Sequence, residues 1–285
     1  MKAKPRYINL RGRLLDLFRP RVMGIINVTP DSFYSGSRFT VEEALIRAAS
    51  EMITDGADII DIGGYSSRPG AEDTSEEEER KRVTKAVRLL RKEFPEAIIS
   101  VDTFRAAIAE EAVENCGADM INDISGGEAD GRMFETAGRL NVPYVIMHMK
   151  GNPRTMQLDP VYENVVAEIL SWFGKRIYRL HSSGVRDVII DPGFGFGKTI
   201  EHNFEILDNL SDFSIAGLPL MVGLSRKSMI WRTLGITPEE SLAGSTVLNT
   251  VALLKGADIL RVHDVKEAVQ AIRLTEPLRK EKMIV

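Results

Sequence analysis

The sequence predicts an α/β fold, a (β/α)8 barrel closed on itself with an N-terminal hairpin at its bottom. Short β-branched runs alternate with longer amphipathic segments, the pattern of βα units in a parallel sheet. Eight such runs can be read, and eight units suit a chain of 285 residues read as one domain, 1–285. The third sign is an internal repeat. Gly56-Ala57-Asp58, Gly117-Ala118-Asp119 and Gly256-Ala257-Asp258, with the looser Gly184-Val185-Arg186-Asp187, set a helix-ending glycine before every second strand.

Taken in order, residues 6–20, with Arg11-Gly12-Arg13 at their centre, read as a hairpin that plugs the barrel bottom. The first strand is 22–27. A helix then opens at Thr40, whose hydroxyl is paired with Glu43 three residues later. Strand two, 58–62, is followed by a helix capped by Ser75 with Glu78, its acidic first turn passing into a basic body as the helix dipole favours. Strands three to six are 97–102, 119–123, 142–148 and 187–191. Strand seven is 219–224, Thr237-Pro238 with Glu240 starts a further helix, and strand eight is 258–262. The strands are near-continuous apolar runs, as strands covered on both faces require.

Composition excludes several classes. With 37 basic and 41 acidic side chains there is no global basic field for nucleic acid or an anionic membrane. Charged and turn residues interrupt every hydrophobic run, so no membrane span is expected. Lys2, Lys4 and Arg6 are not followed by an apolar signal-peptide core, because Arg11, Arg13 and Asp16 break it. The single cysteine, Cys116, cannot form an internal disulfide and reads as packing. A cytoplasmic location is expected.

In a closed barrel the chemistry lies at the C-terminal ends of the strands. Those ends carry Asn27, Gly63-Gly64, Asp102, Asn122-Asp123, His148, Asp191, Ser225-Arg226-Lys227-Ser228 and Arg261-Val262-His263. Asp102, Asn122 and Asp191 make an acceptor-rich wall suited to a ring with several N–H donors. Arg226, Lys227, Arg261 and His263 supply cations around strands seven and eight, where phosphate sites of such barrels gather. Asn27 offers an oxygen to a hard cation such as Mg²⁺, which needs few protein ligands when a diphosphate supplies the rest. The four histidines lack metal-site spacing, and His181 and His202 are expected at the surface. The stretch from Asp191 to Thr199 is glycine-rich, but Pro192 stands where a phosphate loop needs its first glycine. It reads instead as a flexible loop whose Phe194 and Phe196 can lie over a flat ligand.

Together these residues resemble a known family. Asn27-Val28-Thr29-Pro30-Asp31-Ser32-Phe33, Gly63-Gly64-x-Ser66-x-Arg68-Pro69-Gly70, Ser100-Val101-Asp102-Thr103, Met147-His148-Met149, Asp191-Pro192-Gly193, Ser225-Arg226-Lys227-Ser228 and Arg261-Val262-His263-Asp264 are similar to the motifs of the dihydropteroate synthases, which are TIM barrels. The resemblance runs from about residue 8 to residue 274. It implies condensation of 6-hydroxymethyl-7,8-dihydropterin diphosphate with 4-aminobenzoate, by a sulfonamide-targeted, homodimeric enzyme of folate biosynthesis. By that resemblance Asp102, Asn122, Asp191 and Lys227 hold the pterin. Asn27, Arg261 and His263 hold the diphosphate with Mg²⁺, Asn27 being the metal-side residue. Phe33, Ser67, Arg68, Pro69, Phe196 and Ser228 line the aminobenzoate side, and Asp102, Lys227, Arg261 and His263 are the catalytic candidates. The sequence departs from the family pattern at Tyr65, Ser67 and Ser35, where glutamate, threonine and aspartate are usual. The alternatives are a pterin-dependent methyltransferase, which has no need of the cationic elements, and a non-catalytic pterin-binding barrel.

Overall fold

The computed structural model describes residues 7–29, 40–65, 74–151, 156 and 160–279. Strands β1 (Tyr7–Leu10) and β2 (Arg13–Asp16) form an antiparallel hairpin. Its turn needs two residues at positive φ, and Arg11 (φ 53°) and Gly12 (φ 96°) supply them. Eight parallel strands follow: β3 (Arg21–Asn27), β4 (Ile59–Gly63), β5 (Ile98–Asp102), β6 (Met120–Asp123), β7 (Tyr144–Met147), β8 (Val188–Asp191), β9 (Met221–Val222) and β10 (Ile259–Val262). Each pairs with its neighbour in sequence, and β10 pairs back onto β3. The last seam, between β8 and β9, is a bridge from Ile190 to Leu220. The barrel is therefore closed.

Between the strands run α1 (Val41–Asp55), α2 (Glu76–Glu93), α3 (Ala106–Glu114), α4 (Met133–Leu140), α5 (Val165–Ser182), α6 (Ile200–Asp208), α7 (Ser228–Leu234), α8 (Leu242–Leu254) and α9 (Val265–Thr275). Outward strand residues such as Ile60, Val101, Ile146 and Leu260 pack against Leu45, Val87, Phe173 and Leu253 of these helices in one continuous core. Among the described residues no helix is long and apolar enough to cross a membrane.

Inside the barrel the side chains are sorted by height. Met23, Ile59, Met120, Val145, Ile189, Met221 and Ile259 form an apolar layer at the bottom, and Ile8, Leu10, Leu15 and Leu17 of the hairpin region cover it. Each of those four side chains contributes roughly 1.5–3 kcal/mol of burial, so the hairpin seals the bottom as the sequence predicts. Alternation along the strands places the inward residues Asp61 and Arg261 next above this layer and Asp102 one inward position higher. The floor of a site thus rests on a dry base.

The repeat also finds its physical meaning at this end. Gly56, Gly117, Gly184 and Gly256 all adopt φ between 90° and 102°, turning the chain from helix into strand. The aspartates that follow then accept N–H groups from the preceding strand or the hairpin. Asp58 binds Val22 N at 2.9 Å, Asp119 binds Ile99 N at 2.9 Å and Asp258 binds Leu220 N at 2.7 Å, while Asp187 accepts from the Asn9 backbone.

Several predicted elements are shorter than expected, strand five among them, which pairs over Tyr144–Met147 where 142–148 is expected. Regular pairing in strand seven is confined to Met221–Val222, because Pro219 has no N–H to give and Arg226, at φ 56°, turns the chain outward just beyond. Thr237 and Glu240 form a closed turn, with Thr237 N donating to Glu240 at 2.9 Å, and the helix begins only at Leu242. At Thr40 the capping box forms in full, whereas Ser75 receives Glu78 N but Glu78 turns to Arg82.

Candidate active site

At the barrel mouth four strands deliver one polar cluster. Arg261, on β10, donates from Nε to Asp61 Oδ2 at 2.7 Å and from Nη2 to Asp102 Oδ2 at 2.6 Å. Asn122, on β6, donates its amide to the same Asp61 oxygen at 2.9 Å. Asn27 belongs to the same neighbourhood, beside the glycine that ends β4. A Cβ built on Gly63 would lie 3.4 Å from Asn27 Oδ1 and 3.6 Å from Asp102 Oδ2, in van der Waals contact with both, so the two oxygens flank this glycine.

Burial sets the electrostatics. Loss of water pushes Asp102 up to about 7, opposed by Arg261 and reinforced by the charge of Asp61. Arg261 is also desolvated, but Asp61, Asp102 and Asp191 outweigh that and hold it firmly protonated. Asp61 Oδ1 and the hydroxyl of Ser100, which is paired with Asp61 across β4 and β5, are buried without hydrogen-bond partners among the described residues. Unsatisfied polar atoms beneath a charged cluster mark a place made for polar ligands rather than a finished core.

The loop after β8 forms the opposite wall. Asp191 accepts Gly193 N at 2.7 Å, and burial raises its carboxyl against the pull of Lys227. Lys227 donates to the Phe194 carbonyl, and its ammonium lies 4.7 Å from the centre of the Phe196 ring. Burial draws that ammonium down to about 8, with Asp191 pulling the other way. The loop is pinned rather than flexible. Lys198 is buried and donates to the carbonyls of Gly193 and Phe196 at 2.9 Å each and to His148 Nδ1 at 3.0 Å. Of the two aromatics expected over a ligand, Phe194 is wholly buried in the core and only Phe196 stays half-exposed.

The remaining candidates sort by partner. His263 lies beside Ser225, with its Nδ1 3.1 Å from the hydroxyl. Arg226 turns away to Asp264 at 2.6 Å, so it is not the phosphate-side cation its position in sequence suggests. Ser228 opens α7 directly after Lys227. In the Asn122-Asp123 pair only Asn122 joins the cluster, while Asp123 accepts from Tyr144, Ser125 and Gly127 and shapes the following loop. His181 is exposed, but His202 is half-buried as part of the α6 cap. Phe33, Ser35, Ser67, Arg68 and Pro69 lie outside the described residues.

Comparison with known proteins agrees with this geometry. A family model described as "Pterin binding enzyme" matches residues 23–263. The dihydropteroate synthase of Escherichia coli strain K12 is 45% identical over 268 residues, 93% of this chain and 94% of the relative. This chain belongs to the dihydropteroate synthase family. The Haemophilus influenzae dihydropteroate synthase is 46% identical over 257 residues, 89% of this chain and 92% of its own. Among solved structures, a Yersinia pestis dihydropteroate synthase in complex with a sulfonamide drug aligns with a TM-score of 0.90 and 41% identity, covering 97% of this chain and 100% of that one. A Xanthomonas albilineans dihydropteroate synthase in complex with 7,8-dihydropteroate gives 0.86 and 36%, covering 97% and 100%.

In this member of the dihydropteroate synthase family Tyr65 follows β4 at the barrel mouth. The ring meets Phe104 edge-on at 5.0 Å, and the Arg105 guanidinium lies 5.1 Å from the Phe104 centre. Arg105 is itself paired with the buried Glu79, which also accepts Thr103 Oγ1 at 2.6 Å. Sequence reading missed Asp61, and gave Lys198, though part of the glycine-rich motif, no role. Asp61 hides inside Ile59–Gly63, and the one signal that could have exposed it is the inward parity it shares with Gly63.

Proposed function

We propose that this chain condenses 6-hydroxymethyl-7,8-dihydropterin diphosphate with 4-aminobenzoate, forming 7,8-dihydropteroate and releasing diphosphate. The observation that carries the reading is the single buried cluster in which acceptors from β5, β6 and β8 meet the cations Arg261 and Lys227. In this reading Asp102, Asn122 and Asp191 accept the N–H donors of the pterin, and Lys227 donates to its ring heteroatoms. Arg261 and His263, with Asn27, receive the diphosphate. Ser228 and Phe196 face the aminobenzoate, together with Phe33 and Ser67 to Pro69.

The chemistry follows from the charges. The pterin CH₂–O bond breaks, and its electron pair leaves on the diphosphate oxygen. The electron-rich ring shares the resulting positive charge, which Asp102 and Asp191 favour, while Arg261 and His263 favour the departing anion. The amine nitrogen of aminobenzoate then forms the new C–N bond and loses a proton, so no strong base is needed.

Mg²⁺ belongs to the same proposal. Among the described residues no three His, Cys, Asp or Glu side chains gather as a metal cage. The fit is therefore to a cation that brings its own oxygens, with Asn27 Oδ1 as a hard-oxygen ligand. Bound there, it would supply charge neutralisation to the leaving diphosphate. A cytoplasmic homodimer completes the reading, with Val247, Leu254 and Leu274 of the last helices as exposed apolar candidates for its interface. Sedimentation at micromolar concentration tests the dimer, and a monomer would end that part.

The deciding experiment is diphosphate release from the two substrates by the full chain and by Arg261→Ala. The variant is expected to lower turnover by about 100-fold, as loss of one preorganised charge stabiliser does. Unchanged turnover would remove Arg261 from the leaving-group side.

A further inference from the structure

We propose that Asp61 is a positioning residue that sets the polarity of both halves of the site, fixing Arg261 toward the anion and Asn122 toward the heterocycle. The inference rests on the reaction assigned above. It starts from an imbalance: Arg261 bridges two carboxylates of unequal burial. The Asp61 side chain is 0% exposed, whereas Asp102 keeps 16% and Arg261 19%. A pterin entering from the mouth meets Asp102, whose negative charge is then shared between the ring N–H donors and Arg261 Nη2, so this bond is the one a ligand weakens. Asp61, one inward position deeper on β4, holds Arg261 Nε independently of that exchange. The guanidinium then stays in place with Nη2 held less tightly, and Nη1 makes no hydrogen bond among the described residues. Both are donors for a diphosphate oxygen.

The second half concerns Asn122. An amide presents either an oxygen or an NH₂ group to a ligand, and its partner decides which. A carboxylate oxygen accepts only, so the bond to Asp61 Oδ2 commits the Asn122 NH₂ to the floor. Its oxygen is left as an acceptor for the pterin. One oxygen of Asp61 therefore orients a donor for the anion and an acceptor for the ring. Stability does not explain the arrangement. Asp61 Oδ1 is buried with no partner, and a buried charge so incompletely satisfied is a cost to the fold.

The test is Asp61→Asn in the full chain, read by calorimetric binding of inorganic diphosphate and, separately, of 6-hydroxymethylpterin, and by steady-state kinetics. Both affinities are expected to fall about tenfold or more, and the KM for pterin diphosphate to rise likewise. The KM for 4-aminobenzoate should stay within about twofold. A folded Asp61→Asn protein that binds both probes as the parent does, even with a lowered melting temperature, overturns the proposal. If that variant does not fold, the parent chain decides the matter. The Arg261 Nε–H resonance, identified by its loss in Arg261→Lys, should stay protected from solvent exchange when 6-hydroxymethylpterin is added, and loss of protection refutes the retained bond. Failure of the assigned reaction looks different: the parent chain would bind both probes yet release no diphosphate.

Discussion

Asp102 and Lys227 are the two residues whose titration should be visible in the rate. Burial pushes Asp102 up to about 7, and the carboxylate must be ionised to accept pterin N–H groups. Burial draws Lys227 down to about 8, and it must be protonated to donate. The kcat/KM for pterin diphosphate is therefore expected to climb as pH rises through about 7 and to fall above about 8. Asp102→Asn should lower kcat/KM and flatten the acid limb while keeping the alkaline one, and an acid limb unchanged in that variant would assign it elsewhere. The same shift has a cost in stability. Between the usual aspartate value of 3.8 and about 7, folded Asp102 keeps a proton that the unfolded chain has lost. Its contribution is full below that window and is lost as pH rises through it. His148 has no such role. Burial and the neighbouring Lys198 draw its imidazole down to about 2, so it serves as a neutral acceptor for Lys198.

Among the elements, the even-numbered barrel strands begin with a structural device well separated from the chemistry. Asp119 precedes β6, accepts Ile99 N at 2.9 Å and pairs with Arg91 at 2.6 Å, all at the bottom of the barrel. Asp119→Ala should cost about 2–4 kcal/mol in urea unfolding, since it strands a buried N–H and breaks a mostly buried ion pair. Its kcat should be unchanged, because the N-terminal face of such a barrel carries stability and not catalysis. A kcat loss without a stability loss would contradict that division. The repeat was legible because glycine at positive φ followed by aspartate is a local signature, as were the hairpin and the capping box at Thr40. What was not legible depends on partners distant in sequence. Asp61 lies in an apolar run and shows its importance only through Arg261, 200 residues away. Phe194 and Phe196 are indistinguishable as letters, yet Lys198 and His148 decide that one is core and the other lines the site. Thr237 carries a sound cap, but its glutamate closes a turn before any helical bond forms.

As a whole the molecule is a barrel with two unlike ends: an apolar base sealed by the hairpin, and a mouth where buried Asp61 and Asp191 meet half-buried Asp102, Lys227 and Arg261. Gathering these charges costs folding free energy that their mutual pairing only partly returns, as the buried, unpartnered Asp61 Oδ1 and Ser100 hydroxyl attest. A ligand that supplies N–H donors to the acceptors and an anion to the cations binds the folded state alone, so it stabilises by mass action. At 100 times its dissociation constant, 6-hydroxymethylpterin should add about 2.7 kcal/mol. For a chain of this size that corresponds to a rise of roughly 5–10 °C in melting temperature. Inorganic diphosphate should add a further increment in the presence of the pterin, larger than the one it gives alone, because ring N–H donors at Asp102 weaken its hold on Arg261. Scanning calorimetry with each ligand singly and then both together measures this directly. Strictly additive shifts would mean that the two halves of the mouth act independently, and that the Arg261 bridge between them transmits nothing.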